Sequence, residues 1–344
     1  MLTKFKLFLL FTIIVCTKIN AQDSIYNNAF EYIKQGIEAK SISFKEAVYT
    51  VENAYYDNRL SKILFNQEIE KYKTLTKAFI NSRELIYSGK DKKQVAVYAG
   101  VFNVLSDTVQ ILTPDSILID ILPFKYDFED IAGKRDWTKM FVTKLLFTKK
   151  GNCHSLPYLY KILCDELGAE SKLAFAPNHI YIKQKSEKLG WYNTELTSGM
   201  FPKDSWLMAS GYIHLDAVRN GIYLKALSEQ EALCQCLVDL AQGYKEKHKS
   251  TDNKLILEIC DYVLGLYPKF INALLLKAET KTQMLYAQNN KDEKYLKTEL
   301  SKLELLYKTI HNLGYRKMPD KMYLEWLTSL RLEKDKYINT KITF

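Results

Sequence analysis

The chain has 344 residues, with 49 Lys and Arg against 40 Asp and Glu, 47% apolar residues, and only 13 Gly and 7 Pro. This balance excludes a disordered, collagen-like or multi-span membrane protein, and a chain of this length is expected to form two domains of ordinary size. The formal charge of +9 is no nucleic-acid footprint, because 43 of the 49 basic residues are Lys, dispersed among abundant Ile, Asn and Tyr.

At the start of the chain, Lys4 and Lys6 precede an apolar run from Leu7 to Cys16, and Ile19-Asn20-Ala21 closes a short polar stretch. Residues 1–21 are expected to be a secretory signal peptide cleaved after Ala21, which implies a periplasmic or secreted protein. Val15 stands before Cys16 where a lipidated cysteine would want a small residue, so no lipid anchor is expected. No later segment is long and apolar enough to span a bilayer, so no integral membrane segment is expected after leader removal. Without Lys4, Lys6 and Lys18 the net charge falls to +6. The mature chain keeps five cysteines, Cys153, Cys164, Cys234, Cys236 and Cys260. The count is odd and the spacing is not that of a disulfide framework, so buried free thiols and no essential disulfide are expected.

Residues 22–135 read as a helical N-terminal part of a catalytic domain. FKEAVYTVENAYYDNRLS and FNQEIEKYKTLTKAFINSRELI carry apolar residues at three- and four-residue spacing, with Ser41 and Ser43 as start signals. Gln94 to Leu105 is a further apolar helix. Ser106 to Lys134, with Pro114, Pro123 and Gly133, reads as a long ordered loop of the kind that lines sites. Asp136 to Phe147 is predicted to be one helix with Asp136 as N-cap. After Gly221 the pattern is nearly pure helix, over Ser228 to Lys247, Lys254 to Tyr267, Phe270 to Tyr286, Glu293 to Leu313 and Lys321 to Leu332. The Tyr267-Pro268 junction in LEICDYVLGLYPKFINALLLKAET resembles the helix-turn-helix of tetratricopeptide repeats, without a clean 34-residue period. Residues 222–344 are therefore expected to form a tetratricopeptide-like helical hairpin array, a surface for a protein partner.

Residues 136–221 are expected to carry the chemistry. Gly151-Asn152-Cys153 leads into an amphipathic helix that ends near Leu167 and is closed by Gly168. Cys153 thus lies at a helix N-terminus, where unpaired N–H groups and the positive end of the dipole favour a thiolate and can hold an oxyanion. Cys164, near the other end, has neither advantage. Pro157 removes one N–H early in the helix and is expected to bend the turn that carries Cys153. KLAFA, HIYIKQ and WYNTEL are three short strands, and alternation puts His179, Tyr181 and Lys183 on one face. With Lys185 to Leu189 as a hairpin loop, Gln184 would pair with Gly190 and His179 would stand directly opposite Glu195.

This order of residues resembles the transglutaminase-like superfamily, with Gly151-Asn152-Cys153 for its Gly-x-Cys motif, Asn178-His179-Ile180 for its His strand and Trp191 through Glu195 for its Trp-x-x-x-Asp strand. The match covers about fifty residues, and Glu195 stands where the family more often has Asp. The resemblance implies an α+β, papain-like core in which a helix packs on a small antiparallel sheet. It implies a Cys153-His179-Glu195 triad acting on an amide of a peptide or peptidoglycan stem by hydrolysis or transglutamination, with no cofactor and no metal. Asn152, Asn178 and Trp137 are placed to meet the substrate or its oxyanion. Trp137 would wall the site or donate its indole N–H, or serve as a helix core residue. Asp216 is a lesser alternative to Glu195 as the orienting carboxylate. His154 should point about 100° away from Cys153 around the helix, exposed or outside direct contact. His214, His248 and His311 lack the spacing of a zinc set, and there is no Walker loop or dinucleotide fingerprint. The competing class is a non-catalytic peptide-binding protein of the same fold.

Overall fold

Amphipathic periodicity and serine caps build the N-terminal helices as expected. The computed structural model describes residues 24–112, 115, 117–131, 133–248, 253–287 and 292–332, so the leader expected at 1–21 lies outside the described residues. Helix α1 covers 24–38. Helix α2, Phe44–Tyr55, begins where the Ser43 side chain accepts the N–H of Glu46, and α3, Lys62–Asn81, begins where Ser61 does the same for Leu64. Helix α4 covers Lys92–Ser106.

Two readings of the next stretch are corrected. The expected loop from Ser106 to Lys134 contains an antiparallel hairpin, β1 (Val109–Leu112) with β2 (Leu118–Ile121), and then β3 (Lys125–Tyr126). These strands are too short to show alternation, which is why the sequence reads as loop. The helix expected from Asp136 to Phe147 is broken. Asp136 caps a 3-10 turn over Trp137–Met140 by accepting the Thr138 N–H, Phe141 is extended, and α5 starts afresh over Val142–Thr148. The cause is remote in sequence: the buried Glu52 carboxylate of α2 takes the N–H groups of Val142 at 2.6 Å and Thr143 at 2.9 Å. It thereby caps α5 from another helix.

The segment after α5 forms β4 (Lys150–Gly151), parallel to β3, and then α6 (Ser155–Glu166). Helix α6 packs against β5 (Lys172–Ala176) and β6 (His179–Ser186), which with β7 (Gly190–Thr194) make an antiparallel sheet in the order β5-β6-β7. Pro157 is the third residue of α6. Leu156 and Tyr158 on either side of it donate to the carbonyls of Asn152 and His154, so the proline forgoes the corresponding bond to the Cys153 carbonyl, as expected.

The hairpin register also differs from the expectation. Ser186 pairs with Gly190 and Ile182 with Thr194, so Gln184 faces Tyr192. Continuing this register sets Glu195 across from Tyr181, diagonal to His179. The offset is two residues, and because side chains alternate with period two, Glu195 stays on the His179 face.

Short helices α7 (Asp204–Ser210) and α8 (Leu215–Arg219) follow, and Ser210-Gly211-Tyr212 forms the turn between them. Helices α9 (Glu229–His248), α10 (Lys254–Leu266), α11 (Ile271–Ala287) and α12 (Glu293–Asn312) pack in succession. Helix α9 also lies along α2, so one apolar core runs from Tyr26 to Leu313. The architecture is α+β, and Cys153, Cys164, Cys234, Cys236 and Cys260 are all buried and unpaired. No helix among the described residues is long and apolar enough to cross a membrane.

After α12 the chain turns back through Gly314 into α13 (Asp320–Leu332). Gly314 has φ +93°, and a Cβ there would stand 2.3 Å from the Ala217 backbone nitrogen. Neither a left-handed residue nor a backbone contact can yield cheaply. Gly314→Ala is expected to cost about 2 kcal/mol or more, read as a lower denaturation midpoint. An unchanged midpoint would contradict the close approach.

Candidate active site

Gly151 lets the turn before α6 close tightly, since a Cβ there would meet Ser155 Oγ at 2.4 Å and Leu145 Cδ1 at 2.7 Å. That hydroxyl accepts the Asn152 N–H at 3.1 Å and donates to the Lys139 carbonyl at 3.1 Å. Asn152 is buried, and its Oδ1 accepts the N–H groups of His154 at 3.0 Å and Ser155 at 3.2 Å, while its Nδ2 faces the Ile131 carbonyl and Met140 sulfur. Both ends of its amide are thus engaged in holding the turn. Cys153 comes out just ahead of the first helical turn, 8% exposed.

His179 opens β6 after a tight turn in which Asn178 takes φ +54°. Its Nε2 lies 2.5 Å from Glu195 Oε2, and its Nδ1 is buried with no formed hydrogen bond among the described residues. With Nε2 held by Glu195, Nδ1 is the nitrogen left for the thiol. Cys153 Sγ makes a long contact of 3.9 Å with the Asn178 carbonyl. A loose thiol–imidazole approach is common in ligand-free sites and tightens when substrate binds.

Glu195 is pinned on both sides. Its backbone exchanges two hydrogen bonds with Met200, and its Oε1 accepts the Thr197 N–H at 2.9 Å. The sequence sets Glu195 directly opposite His179, in a position where Asp is the commoner residue of the family it resembles. In the observed register the carboxylate must cross a diagonal, and the longer side chain spans it.

Electrostatics push the three groups apart. Burial alone would raise the Cys153 pKa, but the nearness of the His179 ring and its charge bring the thiol below its ordinary value. Burial alone would lower His179, yet the Glu195 charge together with Cys153 pushes it up to about 10. Glu195 is held below the usual carboxylate range by His179 against the opposing effect of burial. The combined directions favour thiolate, imidazolium and carboxylate.

His154 is not exposed. Its ring lies tilted against Tyr158 with centroids 4.0 Å apart, its Nδ1 faces the Met140 carbonyl at 2.9 Å, and its Nε2 lies 3.0 Å from Asp239 Oδ2. Asp239 also accepts from Tyr158 at 2.6 Å and Gln235 at 2.8 Å. Burial opposes charge on His154, but Asp239 outweighs it and raises the pKa, and the resulting cation helps lower that of Cys153. The partner sits on α9, so the adjacent Cys-His pair was visible in the sequence while its anchor was not. Asp216 lies elsewhere, half exposed between His214 and Arg219.

Trp137 lines the same cavity as Cys153 and His179, with its indole nitrogen 3.5 Å from where a Cβ on Gly243 would be. The cavity, about 1060 Å³, continues between the core and the C-terminal helices past Tyr315 and Lys317. Over its Cys153 end lies α13. Tyr323 donates to the Asn178 carbonyl at 3.0 Å, and the Trp326 ring stands edge-on to His179 at 5.1 Å. Trp326 belongs to a small cluster with Met200 and Met318, separate from the main core. Sequence periodicity marks α13 as amphipathic but does not say where its apolar face rests.

Among the described residues no group of three or more His, Cys, Asp or Glu is placed to hold a metal. The chain matches no protein-family model, no curated protein and no solved structure to which it was compared.

Proposed function

We infer that this chain is an exported thiol acyl-transfer enzyme with a transglutaminase-like core, acting on an amide of a peptide or peptidoglycan stem through Cys153, His179 and Glu195. The observation that carries this reading is the His179 ring set between a buried thiol and a buried carboxylate, with Nε2 2.5 Å from Glu195. The Cys153 thiolate attacks the amide carbonyl, the C–S bond forms, and the carbonyl electron pair moves onto oxygen. Collapse of that intermediate breaks the C–N bond, and the His179 imidazolium gives its proton to the leaving amine. Water or a second amine then attacks the thioester, its proton passes to His179, the C–S bond breaks to return the Cys153 thiolate, and the product leaves as acid or new amide. The cavity beside Cys153 has room for a peptide segment, and the helices after residue 222 offer a tetratricopeptide-like surface for a protein partner.

The test is the thiol itself. Alkylation by iodoacetamide near pH 6 is expected to be at least about tenfold faster in the wild type than in His179→Ala, because the thiolate is the nucleophile. Equal, slow labelling would favour the second reading, a non-catalytic peptide-binding protein. The feature behind that reading is the cover that Tyr323 and Trp326 make over the site.

A further inference from the structure

Acyl transfer needs hydrogen-bond donors where the oxyanion develops, and the turn at Cys153 offers fewer than its sequence suggests. The N–H groups of His154 and Ser155 go to Asn152 Oδ1, and that of Asn152 goes to Ser155 Oγ. The Asn152 amide is engaged as well. The Cys153 N–H takes no part in this cap, and one donor is less than a tetrahedral intermediate requires.

Tyr126 stands beside that gap. β3 runs parallel to β4 with Tyr126 paired to Gly151, two residues before the nucleophile, and the Asp127 N–H donates to the Gly151 carbonyl at 2.7 Å. The ring is held against Phe128 at 4.7 Å. Its hydroxyl is buried near the Cys153 sulfur and makes no formed hydrogen bond to any described residue. A buried polar group left unpaired costs stability and calls for an explanation, and this one lies beside the turn that carries the nucleophile.

We propose that Tyr126 is a catalytic residue whose hydroxyl, with the Cys153 N–H, holds the oxyanion of the intermediate formed on Cys153. The proposal rests on the acyl-transfer reading above. As the S–C bond forms and charge gathers on the former carbonyl oxygen, Tyr126 donates a hydrogen bond and keeps its proton. When the intermediate collapses, the electron pair returns to the C=O bond and the hydroxyl is released unchanged. Burial first, and then the charge of a Cys153 thiolate, keep this hydroxyl well above the usual phenol range, so it remains a donor throughout.

Two reagents separate this role from others. p-Nitrophenyl acetate acylates a thiolate through a tetrahedral oxyanion and expels p-nitrophenolate, whereas iodoacetamide is displaced at a saturated carbon and forms no oxyanion. In full-length Tyr126→Phe, acylation by p-nitrophenyl acetate is expected to fall by about 10²–10³-fold while alkylation stays within about threefold of wild type. Unimpaired alkylation also reports that the fold and the thiolate are intact. Equal loss with both reagents would overturn the proposal, since Tyr126 would then act through the fold or the thiol pKa. Unchanged acylation would overturn it too. A wild-type thiol inert to iodoacetamide near pH 6 would instead remove the acyl-transfer reading on which it stands.

Discussion

Glu195→Gln is expected to leave the fold in place and to reduce acyl transfer by about 10²–10⁴-fold, as when a triad carboxylate becomes an amide. On that reading the carboxylate sets the tautomer of His179 and stabilises its imidazolium across a 2.5 Å contact between two buried side chains. An amide can offer the oxygen or the NH₂ but not the charge. The apparent pKa for Cys153 alkylation should therefore rise toward the ordinary thiol value of about 8.5. Glu195→Asp should also be impaired, because in the diagonal register the shorter side chain stops about 1.5 Å short. Stability carries the same signature. His179 is raised from about 6.5 unfolded to about 10 folded, so its contribution is complete below the first value and is lost as pH rises through the second. Glu195 is depressed, so its contribution is present above the unfolded carboxylate pKa and is lost on acidification through the folded one. The variant should lose part of the alkaline decline in melting temperature. Unaltered alkylation kinetics in Glu195→Gln, with Asp216→Asn abolishing them, would move the orienting role to the segment after Trp206.

Glu52→Ala is expected to cost about 3 kcal/mol, since two buried N–H groups, those of Val142 and Thr143, lose their acceptor together. The damage should reach the site, because α5 leads directly into Gly151 and Cys153. Burial pushes Glu52 up to about 7 despite the hydrogen bonds from Thr143 and Val142. A folded pKa above the unfolded value means that this group stabilises the fold most at low pH and loses that contribution as pH rises through about 7. Glu52→Gln, which cannot ionise and keeps one acceptor oxygen, should cost less than Ala and remove this slope. Denaturant melts from pH 5 to 8 decide the matter, and a change below about 0.5 kcal/mol for Glu52→Ala would show that water replaces the carboxylate.

Much of the helical framework was legible because helices are local. Ser43 and Asp136 cap the helical segments that their positions announced, and Lys254 to Tyr267 and Glu293 to Leu313 end within a residue of their expected bounds. The strands β5, β6 and β7 were visible through alternation, and Cys153, His179 and Glu195 through their order along the chain. The hairpin register was misplaced by two residues because the sequence does not show how tight the turn at 187–189 is. The error left every side chain on its correct face, since the strand period is also two.

What the sequence alone determined is the set of elements and the faces of their side chains, because periodicity and capping are decided within a few residues. The tertiary structure decided which distant groups meet. Glu52 breaks a helix ninety residues on, Asp239 anchors His154 from α9, and a two-residue parallel bridge sets Tyr126 against Gly151. Trp326 comes back from α13 to cover His179. Such contacts bring together groups separated by long stretches of chain, and the free energy that holds them comes from burial shared over the whole core, so no local pattern of residues records them.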